Sequence, residues 1–336
     1  MENVKHAFNA TDDHYSEVIA RMKRFISLIL IAILLTALPM GCSRQKNIGS
    51  GGKISVITTI FAPYDFARAI AGDKADVVML LPPASESHSF EPAPQDIIKV
   101  QNCDVFIYVG GESDAWVGNI LSSVDIGNMK IVTLMDCVEM VEEEIVEGME
   151  EEKDADGKEG VEYDEHVWTS PRNAKLIVQK ISDAICEADV SNAPVYRQNT
   201  AAYLEKLDVL DAAFTAVVNQ AARKTIVFGD RFPFRYFADA YGLKYFAAFP
   251  GCSTETEPSA QTVAFLIDKI KAEHIPVVFH IELSNRKMAD TISEETGAKV
   301  LLLHACHNVS RDDFINGVTY IELMTRNVEA LKEALY

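Results

Sequence analysis

Histidine is scarce in this chain of 336 residues, which contains only eight, and tryptophan occurs twice. Basic side chains are also in the minority: 31 Lys and Arg stand against 50 Asp and Glu, giving a formal net charge of -19. Nucleic-acid-binding proteins show the opposite balance, so that class is excluded. No CxxC pair occurs, which excludes the usual zinc-finger and thioredoxin-like motifs. HExxH, HxH and GxSxG elements, the short signatures of common hydrolases, are also missing.

An apolar run near the N-terminus indicates export. Phe25 to Leu38 is about 14 residues long, which is too short for a comfortable membrane span and typical of a signal-peptide core. A short basic start at Met22 precedes it, whereas residues 1–21 are polar, so we expect Met22 to be the true start. Residues 1–41 are therefore predicted to be an extension plus a signal peptide.

The run ends in Leu-Pro-Met-Gly-Cys-Ser, which resembles a bacterial lipoprotein cleavage box. Pro39 departs from the usual pattern, while Gly41 and Cys42 fit it. The resemblance implies that Cys42 is lipidated and that residues 42–52 are a flexible tether. The alternatives are an ordinary secreted chain or a short anchor helix.

Beyond residue 53, β-branched apolar runs alternate with helical patterns. Ile54–Thr59 is the first such run, and Lys299–His304 is the last. This alternation predicts an α/β fold with parallel sheets flanked by helices. Ligands of such sheets bind beyond the carboxyl ends of the strands.

Two segments interrupt the alternation and divide the chain. Residues 139–165 are dense in Asp and Glu and predict a solvated, mobile loop, with weak cation collection as an alternative role. Residues 191–222 predict a long connecting helix. We therefore expect an N-terminal lobe at residues 53–190 and a C-terminal lobe at residues 223–336.

Three histidines lie at strand ends or in loops, where a cleft between the lobes would bring them together: His88, His166 and His307. A single loop histidine is usually only solvated. Three that converge would form a site for a transition metal, because neutral imidazole is a common ligand of zinc.

The sequence around two of them is similar to that of a known family. His88 lies in Pro-Pro-Ala-Ser-Glu-Ser-His-Ser-Phe-Glu-Pro, and His166 lies in Asp-Glu-His-Val-Trp-Thr-Ser-Pro. Both segments, and the Tyr196-to-Leu210 helix, resemble the zinc/manganese solute-binding proteins of metal ABC transporters, the cluster A-I family. The resemblance covers about residues 53–336. It implies a two-lobed periplasmic-binding-type fold whose lobes are joined by a long connecting helix.

The resemblance also implies a ligand set. His88 and His166 match ligand histidines of the family, and His307 falls at the family's fourth ligand. The third ligand position falls on Arg231, whose guanidinium has no lone pair for a metal. Asp230 would supply an oxygen instead, or Asp230 and Arg231 form a local ion pair.

Two further residues are expected beside the ligands. Glu282 matches a family glutamate that follows a strand, and His280 shares its strand face by period-two alternation. We expect both to support ligands rather than to bind the metal. Three histidines favour zinc over manganese, which prefers oxygen donors, although manganese stays open.

Cys252 and Cys306 lie in the same predicted lobe. In an exported protein they are expected to form a disulfide. Free thiols that bind metal are the alternative.

The resemblance implies a monomeric binding protein on the outer face of the cell membrane, which delivers zinc to an ABC permease and its ATPase without catalysis. Two alternatives remain at this point. One is an exported zinc hydrolase with Glu282 as its base. The other is a surface adhesin or cation-binding protein, whose binding to a host surface would survive the loss of His88.

Overall fold

A computed structural model of the chain describes Met22 and residues 52–86, 90–150, 162–253 and 258–336. Apart from Met22, the predicted extension and signal peptide lie outside these ranges, as do Cys42, which is predicted to be lipidated, nearly all of the predicted tether, and His88. The elements below all belong to one compact unit, residues 48–336. Within the described ranges, no helix combines the length and the apolar character that a membrane span needs.

The first sheet has four parallel strands in the order β2-β1-β3-β4. They are β1 (Ile54–Thr58), β2 (Ala75–Met79), β3 (Val105–Tyr108) and β4 (Lys130–Thr133). Val56 and Phe106, on the two central strands, are completely buried. Helices cover both faces of such a sheet, which is why its central strands are continuous apolar runs.

The second sheet repeats this topology, with the order β6-β5-β7-β8 and all pairs parallel. Its strands are β5 (Thr225–Phe232), β6 (Lys244–Pro250), β7 (Val277–His280) and β8 (Lys299–Leu302). The apolar run from Thr225 to Phe228 predicts a four-residue strand, but β5 is longer, because its pairing with β6 resumes at Arg231 after an irregularity beyond Phe228. Residues 230 and 231 therefore belong to a strand.

The helices flank the sheets in chain order. They are α1 (Phe61–Ala71), α2 (Pro94–Asn102), α3 (Ala115–Ser123), α4 (Pro171–Ala188), α5 (Ala193–Gln220), α6 (Arg235–Tyr241), α7 (Ala260–Glu273), α8 (Lys287–Thr296), α9 (Arg311–Ile315) and α10 (Tyr320–Leu335). The apolar pattern from Phe314 to Leu335 predicts one closing helix where the structure has α9 and α10. The structure separates them at Gly317, whose φ of 71° is left-handed, and Thr319 begins α10 with a capping box to Glu322.

α5 is the predicted connecting helix. Its 28 residues extend about 42 Å, and Tyr203, Leu207 and Phe214 lie on its buried stripe. One continuous apolar core contains Val56 of the first sheet, Leu207 of α5 and Phe228 of the second sheet. The two lobes therefore share a core across the connecting helix, which confirms the predicted architecture.

A buried carboxylate also joins three helices. Asp65 of α1 accepts hydrogen bonds from the Arg68 guanidinium at 2.7 Å, the Tyr203 hydroxyl of α5 at 3.0 Å and the Tyr320 N–H of α10 at 2.9 Å. Because Asp65 is 1% exposed, these donors replace its water shell.

The described parts of the acidic segment, residues 139–150 and 162–165, are more ordered than the sequence predicts. Glu142 and Tyr163 form an antiparallel bridge, so the two ends of the segment pair with each other. Val141, Val146 and Met149 pack against the main core. These apolar residues within the acidic run account for the difference, because their burial holds the chain against the protein.

Candidate metal centre

His166 is fully buried at the turn before α4. Its backbone N–H donates to Oδ1 of Asp164 at 2.7 Å, and its Nδ1 lies 3.0 Å from the same oxygen. A carboxylate that accepts the Nδ1 proton fixes the tautomer and the orientation of the ring. Nε2 is then the nitrogen that carries a lone pair for a metal.

The surroundings of His166 are negatively charged. Burial alone lowers the pKa of His166, but the carboxylates of Asp164, Glu165 and Glu143 outweigh it and hold the pKa above its ordinary value of 6.5. The same carboxylates favour any cation at this ring, including a metal ion.

His307 lies beside His166. The centroids of the two imidazoles are 4.6 Å apart and their planes are nearly perpendicular, at 84°. The Trp168 ring packs on His307 at 4.9 Å. The structure therefore brings together two of the predicted ligands, although 140 residues lie between them in the chain.

Glu282 shapes the loop that carries His307. Its Oε1 accepts the His307 N–H at 2.9 Å, and its Oε2 accepts the Ala305 N–H at 2.6 Å. Glu282 thus holds the backbone at His307, a predicted ligand.

The loop of His307 is hydrogen-bonded to the first lobe, although it follows the last strand of the second. The Phe61 N–H of α1 donates to the His307 carbonyl at 2.8 Å, and the Trp168 indole donates to the Ala305 carbonyl at 2.7 Å. His166 and His307 are consequently held on one frame.

Asn308 connects this frame to the loop that leads to His88. Its side-chain amide donates to the carbonyl oxygens of Pro82 and Ser85, both at 2.8 Å. On the far side of His88, Phe90 and His307 line one open cavity. The described chain on either side of His88 therefore borders His307.

The same cavity is lined by two buried carboxylates. Asp114 Oδ2 accepts the N–H groups of Val109 at 2.7 Å and Gly110 at 3.3 Å. Glu165 Oε1 accepts the N–H groups of Glu112 and Ser113. Burial raises the pKa of Asp114 to about 6, and the charge of Glu165 adds to this effect.

Residues 56–334 match the family model of ZnuA, described as the periplasmic component A of a zinc-uptake complex. The chain belongs to the ZnuA family.

Two relatives illustrate the match. The zinc-binding lipoprotein AdcA of Streptococcus pneumoniae serotype 4 is 34% identical over 308 residues, which cover 91% of this chain and 60% of AdcA. The high-affinity zinc uptake system protein ZnuA of Bacillus subtilis is 32% identical over 323 residues, or 93% of this chain and 98% of the relative. The chain thus spans about 60% of the length of the streptococcal protein.

Solved structures agree with the fold. The Zn(II)-bound ZnuA-like domain of S. pneumoniae AdcA superimposes with a TM-score of 0.71 at 31% identity, covering 84% of this chain and 99% of the domain. The metal-dependent lipoprotein YcdH of B. subtilis gives a TM-score of 0.71 at 31% identity, with 84% and 100% coverage.

Asp230 and Arg231 lie in the part of β5 where the family resemblance predicts the third ligand. Asp230 Oδ2 accepts the Ile281 N–H at 3.1 Å, and its Oδ1 accepts the Arg231 N–H at 2.9 Å. The Arg231 guanidinium lies 3.7 Å from Glu86, two residues before His88.

Among the residues that the structure describes, no three His, Cys, Asp or Glu side chains come close enough to hold a metal ion. Asp230 therefore does not join His166 and His307 in the described structure.

His280 ends β7, and its Nδ1 lies 2.9 Å from the Ile281 carbonyl. Burial lowers the pKa of His280. His280 directly precedes Ile281, whose N–H donates to Asp230, so His280 lies near Asp230.

The expected disulfide between Cys252 and Cys306 is absent, since both are free thiols. The reason is their separate surroundings: the Cys306 thiol lies 3.8 Å from the His304 carbonyl, while the Cys252 N–H binds Glu143. Burial raises the pKa of both thiols, and neighbouring carboxylates raise it further. Protonated thiols are poor metal ligands.

Asp164, Asn308 and Gly251 were not singled out from the sequence as functional. Asp164 had a usable signal, because it lies two residues before a candidate ligand. The contacts of the other two depend on remote residues that no local pattern identifies.

Proposed function

We propose that this chain is an extracytoplasmic solute-binding protein that captures zinc and delivers it to an ABC importer. One observation carries the proposal: the buried His166, oriented by Asp164, lies with its ring 4.6 Å from that of His307. Such a pair supplies two nitrogen donors in a negatively charged pocket, which suits a zinc ion. Its relatives AdcA and ZnuA are named for zinc binding and zinc uptake.

We propose His88, His166 and His307 as the principal ligands. Asp230 is proposed as an additional oxygen donor, which requires its carboxylate to leave the Ile281 N–H. Three imidazoles favour zinc over manganese, because manganese prefers oxygen ligands.

The proposed protein has no catalytic step. Both oxygens of Glu282, the candidate base of a hydrolase, accept backbone N–H groups at 2.6 and 2.9 Å. A general base needs an oxygen directed at water or substrate, so the zinc hydrolase is the weaker alternative.

We propose that Cys42 is lipidated and that residues 42–52 tether the protein to the outer face of the membrane. The lobes then comprise residues 53–190 and 223–336, joined by residues 191–222. A monomer in this position would deliver zinc to a permease powered by a separate ATPase. Zinc binding lost with His88, together with host-surface binding that survives, would favour the adhesin reading.

The test is zinc binding by the purified chain and by variants with one histidine removed. We expect one tightly bound zinc per chain, with affinity lowered by at least about 100-fold in His88→Ala, His166→Ala and His307→Ala, because a lost ligand costs more than a lost orienting contact. His274→Asn is the matched control: His274 is exposed with a φ of 52°, which asparagine tolerates. Wild-type protein without tight zinc, or histidine variants that bind as the control does, would refute the proposal.

A further inference from the structure

The two ends of the acidic segment form a structure that we call the clasp, residues 141–149 and 162–165. The Glu143 N–H donates to the Glu162 carbonyl at 2.9 Å, and the Asp164 N–H donates to the Val141 carbonyl at 3.0 Å. The second arm of the clasp leads directly into His166. Movement of the first arm is thus transmitted to the chain that carries a proposed ligand.

The clasp extends from the first sheet but docks on elements of the second lobe. The Tyr236 hydroxyl of α6 accepts the Val141 N–H at 3.2 Å and donates to the Asp164 carbonyl at 2.9 Å, so it binds both arms. The Tyr245 hydroxyl of β6 donates to Glu144 at 3.2 Å. Gly148, with a φ of 95°, lies against the Phe265 ring of α7, where no larger residue fits.

Glu143 joins the clasp to the loop after β6. Its Oε1 accepts the Cys252 N–H at 2.9 Å. The preceding residue, Gly251, is buried against His166: a methyl group added to it would lie 3.1 Å from Cε1 of His166 and 2.9 Å from the Phe232 carbonyl. Cε1 is the ring carbon between Nδ1 and Nε2, so the loop covers the edge of the imidazole beside the nitrogen proposed to bind zinc.

We propose that Glu143 is a positioning residue, which holds the Gly251–Cys252 loop against His166 and thereby slows the exchange of bound metal with solvent. This inference rests on the proposed function, in which His166 binds zinc. The hydrogen bond from Cys252 keeps the loop in place, because an N–H that loses a buried acceptor is satisfied only by water. When the loop moves toward water, the edge of the His166 ring opens and solvent reaches Nε2.

The test compares two substitutions of Glu143 in the full chain loaded with Zn²⁺. Zinc release into excess chelator is followed by stopped-flow absorbance. Glu143→Ala removes the acceptor and is expected to accelerate release by about tenfold, the effect of one buried hydrogen bond. Glu143→Gln keeps an oxygen acceptor for Cys252 without the charge, and its release rate should stay within about threefold of wild type.

The matched control is Glu147→Gln in the same arm, because Glu147 is 72% exposed and its contact with Lys269 spans 3.6 Å. Its release rate should equal that of wild type. The absorption spectrum of Co²⁺-loaded protein reports the ligand set, and it should be the same in wild type and Glu143→Ala. A changed spectrum would show that Glu143 alters the ligands themselves and would overturn the positioning role.

Gly251→Ala provides a second route if Glu143→Ala does not fold. The added methyl group displaces the loop from His166 and should also accelerate release. Wild-type release rates in every variant that folds would refute the inference and leave the proposed function intact. If Glu143→Gln and Glu143→Ala accelerate zinc release equally, the charge of Glu143 and not its hydrogen bond to Cys252 slows release, and the inference is also overturned. A wild-type chain that takes up no zinc would refute the proposed function and this inference together.

Discussion

Replacement of Asp114 with asparagine is expected to stabilise the metal-free chain at neutral pH. Asp114 is 7% exposed beside the cavity of His307. Burial raises its pKa from 3.8 to about 6, because the N–H groups of Val109 and Gly110 compensate for only part of the lost hydration. Asparagine keeps an oxygen acceptor for both N–H groups and carries no charge to desolvate.

The magnitude follows from the shift in pKa. About two units correspond to about 3 kcal/mol at 1.36 kcal/mol per unit. Since the folded-state pKa lies above the unfolded one, the contribution of this group to stability is fully present below about pH 4. It is lost as the pH rises through about 6. At pH 7.5 the variant should therefore exceed the wild type by up to about 3 kcal/mol.

The assay is urea unfolding of the metal-free protein at several pH values from 4 to 7.5. The difference in unfolding free energy between Asp114→Asn and wild type should grow with pH across this window and then level off, because all other groups titrate in both proteins. Asp136→Asn, at an exposed carboxylate, is the control and should change stability by less than about 0.5 kcal/mol. A constant difference across the range, or a variant less stable than wild type at pH 7.5, would show that the desolvation argument is wrong.

Three further predictions concern stability and binding. Asp65→Ala should lower the free energy of unfolding by about 3 kcal/mol or more in urea titration, since it leaves the buried Tyr203 hydroxyl and Tyr320 N–H without their acceptor and removes the ion pair with Arg68; near-wild-type stability would contradict the joining role of this carboxylate. Asn308→Ala should cost about 1–3 kcal/mol of stability and weaken zinc binding in a competition titration, since both bonds to the loop before His88 disappear; unchanged affinity would mean that this loop needs no such support. Zinc at 100 times its Kd should stabilise the chain by about 2.7 kcal/mol in calorimetry, and a chelator should reverse this stabilisation. A thermal unfolding midpoint that does not change on addition of zinc would count against a metal site in the folded protein.

Much of the fold could be predicted from the sequence, since it depends on local periodicity. Apolar β-branched runs such as Ile54–Thr58 predict strands buried on both faces, and the 28-residue stripe of α5 predicts the connecting helix. Two predicted element boundaries were wrong, both at points where the backbone departs from a regular repeat. Gly317 divides the last helix, and β5 continues beyond Phe228.

The candidate site was predictable in part. His166 and His307 were identified by their positions and by resemblance, and the structure brings their rings together. The predicted disulfide was wrong. Cys252 and Cys306 belong to the same lobe, but the sequence does not reveal in which direction their side chains point.

The two α/β lobes, the connecting helix and the types of donor available follow from the amino-acid sequence, because each is a property of residues near one another in the chain. Three contacts depend on the packing of distant elements: the loop of His307 is hydrogen-bonded to the first lobe, Arg231 faces Glu86, and Glu143 accepts the Cys252 N–H. These contacts join residues separated by about 110 to 250 positions. Their geometry depends on how the sheets and helices pack, and no local pattern contains that information.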